Sequence, residues 1–492
     1  MPRPALRPLR VAILPHAARP VLLALCLLLA SCTVAGTSAP RQSRRPPNVL
    51  LIVADDLGFG ELSCYGQRII KTPAIDRLAR EGVRFTAGYA AAPVCAPSRA
   101  SMLTGLHAGH SPIRDNRELK PEGQQPLPAG TVTLAGLLRD RGYATALVGK
   151  WGLGMPGSEG DPLRHGFDFF YGYHCQRHAH NHYPTFLRRN DAVEHLEGNT
   201  PGNRVGAVYA PDRFLDETEA FIRGSADRPF FVMFATTVPH AALQVPEDSL
   251  RPWVGAIEDA PYDGRQGYLP HPAPHAAYAA MVSRLDRDVG RLLDLLDELE
   301  VADDTLVVFT SDNGPTHGRV GGADSAFFES AAGLRGLKGS LHEGGIRVPL
   351  LARLPGVTAR NATVDHPVSH IDLMPTILDL AGPSSDDAER RVDGVSLVGL
   401  LSEGRAPTRA TPLYWEFPGY GGQQAVRMGD LKAIRKDLSR GGGHLELYDL
   451  ATDPAESRDL ADSMPEEVGR ARSMMRESRT RSATFPFPSL DR

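Results

Sequence analysis

Residues 48–56 read Asn-Val-Leu-Leu-Ile-Val-Ala-Asp-Asp, an almost wholly apolar run that ends abruptly in two carboxylates. Apolar residues that do not alternate with polar ones indicate a strand covered on both faces, as in a sheet flanked by helices. Three further segments are apolar and are followed by polar residues: 143–148, 230–236 and 305–310. In such sheets ligands bind beyond the carboxyl ends of the strands. The chain is therefore predicted to be an α/β protein with its site at four strand ends.

Helices are predicted in the segments between these strands. A long one is indicated by five apolar residues spaced three or four positions apart: Leu285, Val289, Leu292, Leu296 and Leu299. Shorter helices are predicted at 73–80, which begins with a helix-compatible proline, and at 134–139. Each of the two is followed shortly by a glycine, which is typical of helix ends.

The pattern changes after residue 402. Short strand candidates separated by glycine or charged residues follow one another at 413–417, 425–428, 431–435 and 445–450. They predict a small antiparallel sheet, and a helix is predicted after it at 466–476. We therefore expect a large α/β domain at 46–402 and a small C-terminal subdomain at 403–492.

The N-terminal segment predicts export. Four arginines precede the apolar run 21–30, which is too short to span a bilayer as a stable helix. The sequence Leu-Ala-Ser-Cys at 29–32 resembles a bacterial lipobox, which implies a lipoprotein signal peptide at 1–31 and a lipid on Cys32. Residues 32–45 are then a flexible tether. An ordinary signal peptide that happens to contain cysteine is the alternative.

If the lipobox functions, the protein is exported and lipid-anchored to the bacterial membrane. Thr33 favours the outer membrane, facing the periplasm or the cell surface. The lipid would be the only membrane contact. The charge balance of 54 basic and 58 acidic residues, net −4, excludes the basic surface of a nucleic-acid binder, so no nucleic-acid partner is expected.

The segment 93–105 carries the most specific motif. It reads Pro-Val-Cys-Ala-Pro-Ser-Arg-Ala-Ser-Met-Leu-Thr-Gly, and its Cys-x-Pro-Ser-Arg core resembles the signature of the sulfatase family. Residues 142–151 resemble the second signature of that family, and 447–456 resemble a segment of its C-terminal subdomain. Without the resemblance, Cys95 would be a buried cysteine before a helix that begins near Ser98.

The resemblance implies an alkaline-phosphatase-like fold and an arylsulfatase-like enzyme that hydrolyses sulfuric esters. In this family a maturation enzyme, the formylglycine-generating enzyme, oxidises the cysteine to formylglycine, whose hydrated aldehyde attacks sulfur. The partners implied for this chain are that enzyme and a sulfated small molecule or glycan, with sulfated carbohydrate as the expected substrate. A helix N-terminus beside Cys95 would suit an anionic nucleophile.

Two polar segments predict a metal site. Asp55-Asp56 and Asp312-Asn313 offer carboxylates and an amide carbonyl, the oxygen ligands that a hard divalent cation takes. Alone, the first segment is also typical of a helix cap and the second of a turn. The family has metal ligands at both places, so the resemblance implies a Ca²⁺ site, with Mg²⁺ less favoured, made by Asp55, Asp56, Asp312, Asn313 and residue 95.

The resemblance also assigns roles to four cationic residues. Arg99 would hold the formylglycine oxygens, and Lys150 would contact both sulfate and formylglycine as a compact charge. His240 matches a family histidine placed against the bridging oxygen, a candidate acid for the leaving alcohol. Lys338 matches a family lysine on the same side. Read singly, each would be an ordinary surface charge.

One position departs from the family. The usual Gly-Lys-Trp-His-Leu-Gly is here Gly-Lys-Trp-Gly-Leu-Gly, so Gly152 replaces the histidine that frees sulfate from formylglycine. In an extended strand His178, His180 and His182 would point to one face. His180 is the predicted substitute, since Ala-His-Asn-x-Tyr-Pro resembles sulfatases that share this glycine. A solvent-facing histidine cluster is the alternative.

Two other functions and one disulfide stay open at this point. A phosphomonoester or phosphonate-ester hydrolase on the same scaffold is the rival enzyme, and an inactive lipoprotein that binds sulfated glycans is the rival without turnover. Specificity is expected in the loops 107–128, 155–205 and 241–275. With Cys95 converted, Cys64 and Cys175 are the candidates for a disulfide.

Overall fold

The computed structural model describes residues 45–384 and 391–491. The predicted signal peptide, lipobox and nearly all of the tether lie outside these residues, so the anchor stays a prediction. Within the described part of the chain, no helix has the length and apolar character needed to cross a membrane.

A sheet of ten strands forms the centre of the fold. The strands of the described chain are β1 Asn48–Ala54, β2 Val83–Phe85, β3 Gly88–Tyr89, β4 Ala144–Lys150, β5 Phe169–Tyr173, β6 Phe186–Arg189, β7 Ala192–His195, β8 Phe230–Ala235, β9 Thr305–Ser311, β10 Leu350–Arg353, β11 Ala362–Val364, β12 Val368–Ser369, β13 Leu413–Phe417, β14 Gln423–Met428, β15 Leu431–Arg435 and β16 Leu445–Asp449. The large sheet runs β11-β2-β10-β9-β1-β8-β4-β5-β6-β7, and its central strands β9, β1, β8, β4 and β5 are parallel. The predicted α/β class is confirmed.

Helices cover both faces of this sheet. The α-helices of the described chain are α1 Pro73–Glu81, α2 Cys95–Thr104, α3 Leu134–Asp140, α4 Ala210–Ser225, α5 Glu247–Leu250, α6 Pro274–Glu298, α7 Glu343–Ile346, α8 Leu373–Ala381, α9 Val398–Glu403 and α10 Pro465–Glu477. Leu50 and Ile52 of β1 pack on the side of α1, α4 and α6, whereas Leu51 and Val53 pack on the side of α2, α3, α8 and α9. Because successive side chains alternate between two covered faces, the strand sequence is apolar throughout.

The register of the parallel strands brings their carboxyl ends together. Ala54 pairs with Ser311, and Val53 and Gly149 both pair with Ala235. The residues that follow β1, β4, β8 and β9 therefore meet at one edge of the sheet, as the sequence predicts.

The last four strands form a separate antiparallel sheet in the order β13-β14-β15-β16. The predicted bounds of β13 and β15 are confirmed, and the predicted helix corresponds to α10. One face of the sheet packs on Ala471 and Met475 of α10, and the other packs on Tyr89, Leu341 and Ile346 of the larger part. The described residues form one compact unit, and the domain boundary at 402/403 stays a prediction.

Cys64 and Cys175 are both free thiols in this structure. Burial raises the pKa of Cys64 to about 12, so its thiolate is disfavoured. The disulfide left open by the sequence is not formed here.

Candidate active site

Cys95 is placed by the first turn of α2, a helix whose side chains are all buried. The helix begins at Cys95, so the predicted start near Ser98 is wrong. Pro97 lies within the first turn, where the missing N–H removes no helical hydrogen bond. The Ala96 N–H donates to a side chain outside the helix, Asn116 Oδ1, at 2.9 Å. Cys95 is thus part of a rigid, buried helix end.

The Cys95 side chain is 1% exposed and lies among charged groups. Lys338 Nζ donates to its Sγ at 3.4 Å, and the thiol itself donates to Asp55 Oδ1 at 3.6 Å. Burial is the main reason that the pKa of the thiol rises to about 12, and Asp312 adds to it. Because the thiolate is the reactive form of cysteine, unmodified Cys95 is a poor nucleophile at neutral pH.

Three buried carboxylates and three cations surround this position. Each carboxylate has a close cationic partner: Asp55 with Lys150 at 2.6 Å, Asp56 with Lys338 at 2.7 Å and Asp312 with Arg99 at 2.9 Å. Arg99 Nη2 also lies 3.9 Å from Asp55 Oδ1. Burial opposes ionisation of Asp56, but Lys338 and His240 together outweigh it and lower the pKa of that carboxyl to about 2. The formal charges of the six groups cancel.

Arg99 and Lys150 lie behind the reactive position. Arg99 donates from Nε and Nη2 to Asp312, and from Nη1 to the Lys150 carbonyl oxygen at 2.7 Å. Both side chains are fully buried, whereas Lys338 and Cys95 line the cavity above them. Arg99 and Lys150 therefore fix the carboxylates in place, while Lys338 is the cation that faces an incoming ligand.

The predicted metal ligands converge. One oxygen from each of Asp55, Asp56 and Asp312 and the Cys95 Sγ all lie within 4.8 Å of one another. Asn313 donates from Nδ2 to Asp56 at 2.8 Å, which leaves its carbonyl Oδ1 buried without a hydrogen-bond partner. An orphaned carbonyl oxygen beside three carboxylates is a donor set that fits a hard divalent cation.

His240 follows β8 and reaches the same edge of the sheet. Its Nδ1 donates to the Ala241 carbonyl oxygen, and its Nε2 lies 3.5 Å from Asp56 Oδ2. Burial lowers the pKa of His240 to about 3, so the ring is neutral before a ligand binds. Because Nδ1 is hydrogen-bonded, Nε2 is the ring nitrogen that is available for proton transfer.

The strand predicted for the three histidines is wrong. Residues His178–His180 form a 3-10 turn, because the N–H groups of Ala179 and His180 donate back to Cys175 and Arg177. The side chains diverge as a result. His182 is buried with hydrogen bonds at both ring nitrogens, and of the three only His180 lines the cavity with Cys95.

His180 lies against His240 and Tyr268. Its ring stacks on that of His240 with centroids 4.4 Å apart, and its Nδ1 lies 3.2 Å from the Tyr268 hydroxyl. Burial, and then the neighbouring His240 and Lys150, hold the pKa of His180 well below its ordinary value, so the ring is a neutral base. Tyr268 was not predicted, since no pattern in the sequence distinguishes it from other loop tyrosines.

The cavity above Cys95 has a volume of about 570 Å³. All three loops expected to carry specificity contribute to its wall: Gln124 comes from 107–128, Gln176 from 155–205 and Tyr268 from 241–275. Tyr420 adds an exposed aromatic ring from the β13–β14 turn. Most of the lining side chains carry a polar group, and Val320 is the one aliphatic residue of the wall among those the structure describes.

The segment that carries Lys338 is held by a buried ionic cluster. Lys432 of β15 lies between Glu343 and Glu456, at 2.8 and 3.0 Å, and all three are fully buried. Glu456 also accepts from the Glu343 backbone N–H and pairs with His342. The C-terminal sheet is thereby fastened to the residues that follow Lys338.

Replacing Glu456 with glutamine is expected to destabilise the protein by about 3 kcal/mol, because a buried charge loses its partner. Lys432 and His342 overcome the burial of Glu456 and lower its pKa from 4.5 to about 2. The stabilisation is complete above the unfolded pKa and is lost as pH falls from 4.5 towards 2. Between pH 4.5 and 2, chemical unfolding should show a smaller loss of stability for E456Q than for the parent. A variant at an exposed position, Glu477→Gln, should lose as much stability as the parent.

Known proteins resemble this chain along most of its length. The family model described as Sulfatase matches residues 47–383, and that of the C-terminal region of N-sulphoglucosamine sulphohydrolase matches 337–479. Mouse steryl-sulfatase is 32% identical over 93% of this chain and 85% of its own, and human N-acetylgalactosamine-6-sulfatase is 33% identical over 75% and 68%.

Among solved structures, Ps i-CgsB in complex with k-i-k-neocarrahexaose superposes with a TM-score of 0.73. It is 27% identical and covers 88% of this chain and 93% of its own. The residues matched by the Sulfatase family model, 47–383, contain the convergent carboxylates, the cationic residues and Cys95. The chain belongs to the sulfatase family and is a sulfatase enzyme of type I, within the alkaline phosphatase superfamily.

Proposed function

We propose that this sulfatase cleaves sulfate monoesters of carbohydrates, using a formylglycine made from Cys95 beside a bound Ca²⁺. The observation that carries the proposal is the position of Cys95. Its Sγ lies among Asp55, Asp56 and Asp312 at the floor of a polar cavity, and burial keeps its own thiol unreactive. A formylglycine-generating enzyme in the host is the maturation partner that this requires.

The charge balance of the site supports both groups. Three carboxylates already neutralise three cations, so a divalent cation would add two uncompensated positive charges. A monoanionic sulfate ester and an ionised nucleophile supply two negative charges. When present, the hydrated aldehyde supplies one hydroxyl to attack sulfur and a second to expel sulfate, and the cation stabilises negative charge on oxygen.

The side chains of this chain bind the ester and move its protons. Lys338 faces the cavity and would hold a sulfate oxygen, while Arg99 and Lys150 keep the carboxylates oriented. His240 Nε2 becomes protonated when the anionic ester binds near it, and then gives its proton to the leaving alcohol. Neutral His180 takes the proton of the second hydroxyl, with Nδ1 donating to Tyr268 and Nε2 free to accept.

Carbohydrate is favoured over sterol as the substrate. A sterol needs a mostly apolar pocket, but this wall carries amides, charged groups and two tyrosines. N-acetylgalactosamine-6-sulfatase is a relative, and Ps i-CgsB was crystallised with a neocarrahexaose. Both resemblances support the same class of substrate.

Two measurements test this function. Mass spectrometry of the peptide that contains residue 95, from protein made in its own host, should show an aldehyde in place of the thiol. Purified enzyme should turn over 4-nitrophenyl sulfate faster than 4-nitrophenyl phosphate. Faster phosphate turnover would support the rival phosphatase, and binding of sulfated glycans without sulfate release would support the inactive lipoprotein.

Removing the metal is expected to lower turnover of 4-nitrophenyl sulfate by more than about 100-fold, since a bound cation contributes several kcal/mol to charge stabilisation. Dialysis against a chelator should cause this loss, and Ca²⁺ should restore activity better than Mg²⁺. Added Ca²⁺ should also raise the unfolding temperature, because a cation that binds only the folded state stabilises it. Full activity in excess chelator would contradict the assignment.

We also propose that the protein is exported and anchored by a lipid on Cys32, from the lipobox resemblance at 29–32. Fractionation of host cells should find it in the membrane, and Cys32→Ser should release it from that fraction. Recovery of the parent protein in the soluble periplasm would favour an ordinary signal peptide instead.

A further inference from the structure

The space beside Gly152 is filled by the side chain of Gln176. Gly152 has φ +80°, a conformation that favours glycine, and a β-carbon built on it would lie 2.1 Å from Gln176 Nε2 and 3.0 Å from its Cδ. The two residues are neighbours because β4 and β5 are parallel, and the Gly152 N–H donates to the His174 carbonyl oxygen at 3.1 Å. Glycine at 152 therefore leaves room for an amide from the next strand.

The Gln176 amide is buried without partners. The residue is 5% exposed, and neither Nε2 nor Oε1 has a hydrogen bond within the described part of the protein. Gln124 is 2% exposed, and its Oε1 likewise lacks a partner. Both glutamines line the cavity that contains Cys95. Leaving buried polar groups unpaired is costly, so this arrangement points to a ligand that supplies the missing partners.

Both glutamines lie against the segment 152–154. The Gln124 N–H donates to the Gly154 carbonyl oxygen at 3.3 Å, and Gln176 lies against Gly152. Arg177, the residue after Gln176, donates to Glu118 at 2.8 Å, and Glu118 forms a backbone bridge with Gln124. The loops that carry the glutamines are thus tied to each other at the mouth of the cavity.

The unpaired atoms define what the ligand must offer. Gln176 presents one amide donor group and one acceptor, and Gln124 presents a second acceptor. Sulfate oxygens only accept hydrogen bonds, so a sulfate group would satisfy the donor and leave both acceptors unpaired. A hydroxyl group both donates and accepts. Free hydroxyls on a ring that also carries the sulfate would pair all three.

We propose that Gln124 and Gln176 form a subsite for free hydroxyl groups of the sugar whose sulfate is cleaved, which rests on the proposed function. The subsite gives Gly152 a physical purpose, since a larger side chain there would displace the Gln176 amide. A site built to bind a hydroxyl discriminates strongly against an analogue that lacks it, because its own polar groups are then left unpaired.

The test compares Gln176→Leu with the parent on two kinds of substrate. One is 4-nitrophenyl sulfate, and the other is a panel of galactose 4-sulfate, galactose 6-sulfate and N-acetylgalactosamine 6-sulfate. We expect kcat/KM for the sugars to fall at least about 10-fold further than for the aryl ester. The unfolding temperature should not fall, because leucine removes an unpaired amide at similar volume.

Gln424→Leu is the matched control. Gln424 is 1% exposed in β14, but its amide is hydrogen-bonded to Tyr414, Met475 and Arg435. This variant should unfold at a lower temperature and keep the parent's ratio of sugar to aryl turnover. A sugar sulfate that lacks the bound hydroxyl should have a lower kcat/KM with the parent but not with Gln176→Leu. The variant has already lost the hydrogen bond to this hydroxyl, so removing the hydroxyl removes nothing further.

Each outcome decides between the subsite and its alternatives. An equal loss on sugars and aryl ester would overturn the subsite and make Gln176 a residue that positions the catalytic groups. No selective loss, or a parent that cleaves the aryl ester but neither cleaves nor is stabilised by any panel sugar, would also overturn it. A parent that cleaves neither 4-nitrophenyl sulfate nor any panel sugar would overturn the proposed function itself.

Discussion

Replacing Cys95 with alanine is expected to reduce turnover of 4-nitrophenyl sulfate by at least about 10⁴-fold, because the variant has no nucleophile. The surrounding residues cannot substitute for it. The three carboxylates are paired with cations, and the pKa of Asp56 near 2 reflects a carboxylate stabilised by its lysine, which makes it a weak nucleophile. Lys338 is held protonated by Asp56, and His240 and His180 are the groups that move protons, so none of the three replaces the missing nucleophile.

The loss should not come from unfolding. Alanine fits the first turn of α2 and removes only the weak sulfur contacts with Lys338 and Asp55. We expect C95A to unfold within a few degrees of the parent, and Cys64→Ala, whose thiol lies outside the site, to keep its activity. A well-folded C95A that retains more than about 1% of parent turnover would remove residue 95 from the mechanism.

The positions of the charged site residues could be predicted because they depend on strand ends. Asp55 follows β1 and Asp312 follows β9. Parallel strands in register bring such residues together independently of the loop conformations. Continuous apolar runs reveal those strands directly. The antiparallel sheet could be predicted equally well, since glycine and charged residues separate its short strands.

The errors arose where local geometry depends on hydrogen bonds that leave no pattern. The helix was predicted to begin near Ser98, yet its first turn accommodates Pro97 and the helix begins at Cys95. The histidine segment reads as a strand, but backbone bonds to Cys175 and Arg177 close it into a turn. Contact between Gly152 and Gln176 follows from the pairing of β4 with β5, which the sequence does not specify.

Replacing His180 with alanine is expected to separate the two halves of the reaction. The first alcohol should still be released, because Lys338, His240 and the carboxylates remain, but the base for the second proton is gone. Rapid mixing with 4-nitrophenyl sulfate should show a burst of about one nitrophenol per active site, followed by turnover at least about 100-fold slower than the parent's. Mass spectrometry should find sulfate retained on the peptide that contains residue 95.

His178→Ala is the control within the same turn, since His178 packs on Phe186 and Tyr173 rather than lining the cavity. It should keep multiple turnover. Undiminished multiple turnover by H180A would rule out His180 as the base.

Because His180 stacks on His240, the same experiment also distinguishes a base at His180 from a residue that only supports the His240 ring. If His180 served only to support the His240 ring, its loss would slow alcohol release itself, and the burst would disappear together with turnover. A burst that keeps the parent's rate but ends after one turnover can arise only if His240 still acts normally. Added imidazole should then restore turnover in H180A, because a free base can enter the space left by the missing ring. With the base in the 3-10 turn, residue 152 is free to be glycine, and the space beside it is available to the Gln176 amide.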